Sequence, residues 1–150
     1  MAMQEHGTSP GNGGSFSVLK GEMDGYPLFA TIDTSLRDYK QKASVPWFLS
    51  ISTPLIKPTS DGLTTRQEAD ELNKWEMKLD KKIAVETHYV WVGHVTWKGH
   101  RELLYYVAKR DPVNRTLQSL IDHHVARPFA FRCERDKAWS KVDVYFKKSS

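Results

Sequence analysis

The sequence predicts an α+β fold: a ferredoxin-like βαββαβ sandwich with an added N-terminal β-hairpin and a C-terminal strand. Two observations carry that prediction. Runs rich in β-branched and aromatic residues flank the dipeptides Asp24-Gly25 and Lys98-Gly99, both strong local signals for two-residue hairpin turns. Apolar residues recur at helical spacing from Ala69 to Ile83 and again from Val113 to Ile121, one stretch on each side of the second hairpin. The resulting strand–helix–strand–strand–helix–strand order places both helices on one face of a mixed or antiparallel sheet.

Each element has a local reason. Residues 1–14 hold Gly, Ser, Pro, Asn and Thr with almost nothing apolar, and are expected to form a flexible lead to a single domain over residues 15–148. Phe16 to Met23 and Tyr26 to Thr34 form the first hairpin, and the polar stretch Leu36 to Ser44 a loop or short turn. Val45 to Thr53 alternates Trp47, Leu49 and Ile51 on one face, with Pro46 near the start where proline is tolerated. A loop over Pro54 to Gly62 precedes the first helix. Thr64 with Gln67, or Thr65 with Glu68, gives its capping-box pattern, and Ala69, Leu72, Trp75, Leu79 and Ile83 its apolar stripe. Asp111-Pro112 reads as an N-cap followed by proline at the first helical position; Val113, Leu117, Leu120 and Ile121 follow as the buried side. Phe129, Phe131 and Cys133 alternate on one face of a strand, and Val142 to Phe146 is expected to form the last short strand.

The Lys98-Gly99 turn sets the register of the central hairpin, so its faces can be assigned. Trp97 is expected opposite His100, Val95 opposite Glu102, Gly93 opposite Leu104 and Trp91 opposite Tyr106. One face then carries Tyr89, Trp91, Trp97, His100, Leu104 and Tyr106; the other carries Val90, Val92, Leu103, Tyr105 and Val107. The helices are expected to cover the aliphatic side with Val92, Leu103 and Tyr105. The aromatic side is expected to be open, or covered by the added strands or a partner.

Composition narrows the function classes. The chain has 150 residues, 39% of them apolar, a net charge of +4 and a single cysteine. No apolar run approaches the roughly 18 residues that span a bilayer. The start Met-Ala-Met-Gln-Glu-His-Gly lacks the basic and apolar regions of a signal peptide, so a cytoplasmic location is expected. Cys133 alone cannot form an intramolecular disulfide or a cysteine zinc site. The mild positive charge permits acidic-protein or nucleic-acid partners without requiring either.

A set of phrases stands in order along the chain: Asp33-Thr34-Ser35-Leu36-Arg37, Pro46-Trp47, and Asp61-Gly62-Leu63-Thr64 before a Leu-spaced helix. Then come Tyr89 to Thr96, the turn Gly99, Leu104-Tyr105-Tyr106, Asp136-Lys137-Ala138-Trp139 and Val144-Tyr145-Phe146. Over roughly residues 16–147 this order and spacing resembles a bacterial family described as domain of unknown function 695. His94, where arginine is expected, and a first helix less acidic than usual depart from the pattern. The family has no established catalytic residues, so the resemblance carries none over. It is distantly similar to the ribonuclease E inhibitor (RraB-like) family of small ferredoxin-like proteins. That likeness implies a protein-binding regulator, although fold analogy by itself says little about function. Small cytoplasmic antidotes and immunity proteins against bacterial toxins fit the same size and class.

No catalytic or metal set is expected, and no cofactor. His94 and His100 fall on opposite faces of the hairpin, and His123 and His124 point about 100° apart on a helix, with no further ligands at a useful spacing. Cys133 shares a strand face with Phe129 and Phe131, which suggests burial and little thiolate. Asp33 with Asp38, and Glu134 with Asp136, lack the apolar pocket that tunes one carboxyl as an acid, and read as turn and surface residues. Gly93, between apolar strand residues, marks a bulge or close packing.

The functional expectation therefore rests on the aromatic sheet face. It is expected either to be buried under other parts of the chain or to form a protein interface, since aromatic residues and Arg are enriched at binding hot spots. Trp91, Trp97 and Tyr106 would supply apolar area, and Lys98, His100 and Arg101 polar contacts at the hairpin tip. The leading reading is a non-enzymatic inhibitor or regulator that restrains another protein, such as a nuclease or toxin; a homodimer through the same face is an alternative. Single-stranded RNA stacked on the open sheet is a further alternative. Against RNA, Arg-Glu-Leu-Leu-Tyr-Tyr-Val lacks the Gly and aromatic placement of that motif, and Glu102 would repel phosphate.

Overall fold

The computed structural model of the protein describes residues 16–124 and 127–148. The expected lead over residues 1–14 lies outside them. Six strands form one sheet: β1 (Phe16–Met23), β2 (Tyr26–Asp33), β3 (Trp47–Pro54), β4 (Tyr89–Trp97), β5 (His100–Val107) and β6 (Ala130–Arg135). Their order across the sheet is β1-β2-β4-β5-β3-β6, and every neighbouring pair is antiparallel. The helices are α1 (Arg66–Glu86), α2 (Arg110–Asp122) and α3 (Asp143–Lys148), with 3₁₀ turns at Thr34–Asp38, Lys42–Ser44 and Ser140–Val142. The fold is thus α+β, with a six-stranded antiparallel sheet and three helices.

Both hairpin turns form where the X-Gly dipeptides stand. Asp24 and Gly25 have φ of 54° and 82°, Lys98 and Gly99 of 49° and 82°. Positive φ at both central residues is the type I′ turn, whose twist matches that of the flanking strands. Thr65 caps α1, its hydroxyl accepting from the Glu68 N–H at 3.2 Å. The reciprocal half of the capping box is absent. The Glu68 carboxylate instead accepts from the N–H groups of Ile56 and Lys57 and pairs with Arg127 at 2.8 Å. Helix α2 begins at Arg110 with Lys109 as its cap, so Asp111-Pro112 lies inside the first turn rather than at the boundary. Proline is tolerated there because first-turn N–H groups have no intrahelical acceptor.

The expected C-terminal strand is helical. Val142 and Phe146, four apart, are buried, whereas Val144 between them is 47% exposed. That is a helical period; a strand would have put all three on one face. The turn is started by Asp136, whose carboxylate accepts from the Ser140 and Lys141 N–H groups at 3.0 and 2.9 Å.

The central hairpin departs from strict alternation at one residue. Pairing runs Trp91 with Tyr105 and then Gly93 with Leu104, so Val92 is an extra residue in a β-bulge. Trp97–His100, Val95–Glu102 and Gly93–Leu104 pair as expected; Trp91 does not pair with Tyr106. Gly93 permits the kink. A Cβ there would lie 2.1 Å from the Thr31 carbonyl oxygen of β2, a distance only glycine avoids. The bulge moves Tyr89 and Trp91 to the face of Leu103, Tyr105 and Val107, where α1 and α2 cover them. Val90, Val92 and Val95 join Leu104 and Tyr106 on the opposite face. Two apolar clusters result, one on each side of the sheet. Full burial contributes roughly 1.5–3 kcal/mol per large apolar side chain.

Candidate functional site

Among the described residues, the sheet face away from α1 and α2 is covered at one end only. After β6 the chain bonds back to the residue before β3, the Asp136 N–H donating to the Pro46 carbonyl at 2.7 Å. It then turns through Trp139, which adopts left-handed dihedrals of 61° and 35°. That turn lays the Trp139 indole flat on Tyr106, with centroids 4.2 Å apart and planes within 8°. The Trp139 N–H donates to the Val45 carbonyl at 3.2 Å, and the Tyr106 hydroxyl to Asp136 at 2.6 Å. Leu36, Val45, Val142 and Phe146 complete the cover. Arg37 ties it down by donating to the Phe146 carbonyl at 2.8 Å. Burial raises the Tyr106 hydroxyl far above the ordinary tyrosine range, and its bond to Asp136 adds to this. Burial works to raise Asp136, but the bonds from Tyr106, Lys141 and Ser140 outweigh it and hold the carboxyl below its usual range.

At the hairpin-tip end of the same face the cover formed by the described residues stops at Tyr145, beside a cavity of about 410 Å³. Leu28 from β2, with Val95 and Trp97 from β4, forms an apolar wall. Ser50 and Ser52 from β3 and Glu102 from β5 form a polar floor, and Ala130 and Arg132 from β6 the far side. Met23 and His100 stand at the rim. The Ser50 hydroxyl donates to Glu102 Oε2 at 2.5 Å. Burial first, and the Glu102 charge second, push the Tyr145 hydroxyl up to about 12. The Trp97 indole N–H donates to the Met23 carbonyl at 2.9 Å, bridging the tips of the two hairpins. The Lys98 ammonium sits 5.2 Å from the Tyr26 ring centroid and 5.6 Å from that of Trp97. Gly62 packs against this turn so closely that a Cβ would meet Gly99 N and Lys98 Cα at 2.9 Å. Chemically, the cavity is an apolar slot with a carboxylate and hydroxyls at its base.

The family model for the Family of unknown function (DUF695) matches residues 16–147. The chain belongs to that family. No curated protein and no solved structure matches it.

In this DUF695 protein the six residues singled out on the aromatic face do not form one group. Trp97 and His100 pair across β4 and β5 and line the cavity, and the Lys98 ammonium lies over the Trp97 ring. Trp91 is 2% exposed on the helix-covered face, its indole N–H donating to Glu76. Arg101 faces the same way, donating to Thr96 and to Asn73 of α1, both at 3.2 Å. Tyr106 is fully buried beneath Trp139. The misplacement of Trp91 follows from the Val92 bulge, and the burial of Tyr106 from a tryptophan 33 positions further along.

Beneath the helices of the DUF695 chain runs a polar seam. Glu76 accepts from Trp91 and meets His94 Nδ1 at 2.9 Å, and Asp80 accepts from the Tyr105 hydroxyl at 2.5 Å. Burial, with the Asp80 and Glu76 charges, pushes Tyr105 well above its ordinary value. These groups lock α1 onto the sheet, since buried polar atoms need partners. Asp33, read as a surface turn residue, is fully buried, its carboxylate accepting from the Ser35 N–H and hydroxyl. Burial pushes its carboxyl up despite the lowering effect of the Ser35 bonds. Burial also pushes the Cys133 thiol up to about 11. Among the described residues no group of three or more His, Cys, Asp or Glu could hold a metal ion, and no helix is long and apolar enough to cross a membrane.

Sequence reading missed Ser50 and Tyr145 as parts of the cavity, and placed Glu102 only as an obstacle to phosphate. Glu102 was findable, because it stands two residues from His100 on the same strand face. Ser50 depended on the β3–β5 register, a pairing across 54 residues with no local signal. Tyr145 depended on the helical turn of the C-terminal segment.

Proposed function

We propose that the protein is a non-enzymatic protein-binding regulator or inhibitor that holds its partner at the open end of the second sheet face. One observation carries the reading: a sheet face sealed at one end by Trp139 and Tyr106 is left as an apolar-walled cavity with a few convergent polar groups at the other. Such a pocket is the default place to look for binding. Its rim supports a macromolecular partner, because Met23 and Tyr26 are exposed there beside Trp97 and Lys98. Aromatic anchors ringed by polar groups are what protein interfaces use as hot spots.

We read the order β3-α1-β4-β5-α2-β6 as the ferredoxin-like βαββαβ arrangement, with β1 and β2 as the addition. Likeness to inhibitors of ribonuclease E then makes a nuclease or toxin in the cytoplasm the kind of partner to seek, and an antidote or immunity role the physiological setting. RNA fits less well. Stacking needs exposed rings on the open sheet, whereas Tyr106 is sealed under Trp139, Trp91 faces the helices, and the cavity floor presents the Glu102 carboxylate.

The test is capture of partners from native cells with the tagged full chain, with and without nuclease, beside an Ala130→Trp variant. Ala130 is an exposed residue on the cavity wall, so the bulky ring fills the slot without entering the core. A single stoichiometric protein, retained after nuclease and lost with Ala130→Trp, is the expected result. Equal capture by the variant would remove this cavity from the reading. Recovery of RNA alone, lost after nuclease or falling steeply with salt, would replace it with nucleic-acid binding.

A further inference from the structure

The open cavity holds a carboxylate, Glu102, that has no counterion among the described residues. Glu102 Oε2 accepts from the neutral Ser50 hydroxyl. Among the described residues its other oxygen takes no hydrogen bond, and Glu102 joins no ion pair. The cations nearby are committed elsewhere. Arg132 pairs with Glu134 at 3.2 Å and rests its guanidinium 5.9 Å from the Phe48 ring centroid. Lys141 reaches the other oxygen of Glu134 at 3.0 Å. Lys98 lies over Tyr26 and Trp97. The Tyr145 hydroxyl, which feels the Glu102 charge, likewise has no hydrogen-bond partner among the described residues.

A half-satisfied carboxylate between apolar walls favours a donor-rich cation on an aliphatic stem. Isolated, the charge is costly to enclose; paired and hydrogen-bonded, it becomes a strong anchor. Arginine fits better than lysine. Its planar guanidinium presents five donors in a fixed fork, enough to meet the free oxygen of Glu102 and the lone pairs of Ser50 and Tyr145 together. Its methylene stem can lie along Leu28 and Val95, and its charged plane can rest on the Trp97 ring. The chain's net charge of +4 gives a basic partner no general attraction, so the preference would come from this slot alone.

We propose that the open cavity is a receptor for an arginine side chain presented by the partner protein, with Glu102 as the carboxylate that pairs with its guanidinium. The proposal rests on the protein-binding reading above and names what that site selects.

The experiment follows ¹H–¹⁵N spectra of the full chain during titration with N-acetyl-arginine amide, and with N-acetyl-citrulline amide as the uncharged isostere. Saturable shifts confined to Ser50, Val95, Glu102 and the Trp97 indole are expected with the arginine compound up to tens of millimolar, and about tenfold weaker binding with the citrulline compound. Glu102→Gln keeps the shape and can still accept from Ser50; it should erase the difference between the two probes. Equal binding of both probes to the unaltered chain, no saturation with either, or an undiminished arginine preference in Glu102→Gln would each overturn the proposal. The two readings fail separately in the capture experiment. If Ala130→Trp abolishes capture and Glu102→Gln leaves it intact, the arginine receptor is wrong and the protein-binding site stands. If neither variant changes capture, the site itself is wrong.

Discussion

The covered and open ends of the second sheet face are made from the same strands, yet they meet opposite fates. At one end Phe48, Val90 and Tyr106 lie under Trp139, Val142 and Phe146. At the other, Leu28, Val95 and Trp97 line a cavity. Strand composition does not distinguish them, since both ends carry an aromatic beside aliphatic residues. What differs is the reach of the C-terminal segment. Asp136 pins it to Pro46, Trp139 turns it through a left-handed conformation, and α3 begins only at Asp143. Among the described residues, six residues of helix carry the cover as far as Tyr145 and Phe146.

The largest expected effect breaks the hairpin that separates the two faces. Gly93→Ala would set a Cβ 2.1 Å from the Thr31 carbonyl, forcing β2 and β4 apart at the bulge. A loss of more than about 4 kcal/mol is expected, read as the shift in the urea midpoint at constant slope. A loss near 1 kcal/mol would mean that the bulge can relax and that Trp91 is not held to the helix face by this glycine. Next is Trp139→Ala, which uncovers Tyr106. Large-to-small truncation at a fully buried tryptophan costs about 3–5 kcal/mol, and equilibrium unfolding measures it. A small effect would show that the two ends differ less in packing than in position.

Acid should weaken the covered end through Asp136. The Asp136 carboxyl is lowered in the folded protein, burial being outweighed by bonds from Tyr106 and two backbone N–H groups. Glu68 is lowered too, burial being outweighed by the Ile56 and Lys57 N–H groups and by Arg127. A folded value below the unfolded one gives stability that is present above the ordinary carboxylate range and is lost as pH falls through the folded value. Asp33 is raised and acts in the opposite sense, so acidification relieves part of its burial cost. Net destabilisation is expected as pH drops below about 4. Asp136→Asn should flatten that acid limb in urea midpoints taken across pH; an unchanged limb would remove Asp136 from the account.

How far the sequence could be read follows the range of the interactions. The two X-Gly hairpin turns, a threonine cap narrowed to Thr64 or Thr65, and the apolar stripe of α1 are local and legible from neighbouring residues; that Thr65 is the cap and that the turns are type I′ came from the structure. The single-residue bulge at Val92 was not, because the close approach of Thr31 that requires glycine at 93 comes from a strand 62 positions away. A glycine among apolar strand residues did signal a bulge there, but not which way Trp91 would turn. Val142 to Phe146 was misread because an apolar residue at every second position hid a period of four. Half of the site at the hairpin tip, Trp97, Lys98 and His100, came from the turn alone; Ser50 and Tyr145 required pairing and packing across the chain.

Trp97→Ala sharpens the comparison with the smallest structural effect. Trp97 is only half-buried, and its hydrogen bond to the Met23 carbonyl is solvent-exposed, so water can replace the lost donor. Stability is expected to fall by about 1 kcal/mol, well short of the cost at Trp139. The same truncation removes one wall of the cavity and the ring beside Lys98. Partner affinity should therefore fall by more than about 1 kcal/mol, roughly fivefold or more, with the fold intact by circular dichroism. The pairing of these two readouts separates the ends of the face: Trp139→Ala should lower stability first and binding only through it, while Trp97→Ala should lower binding with little change in stability. If Trp97→Ala instead unfolds the protein or leaves partner affinity untouched, the open end is a packing surface like the covered one, and the distinction drawn between them disappears.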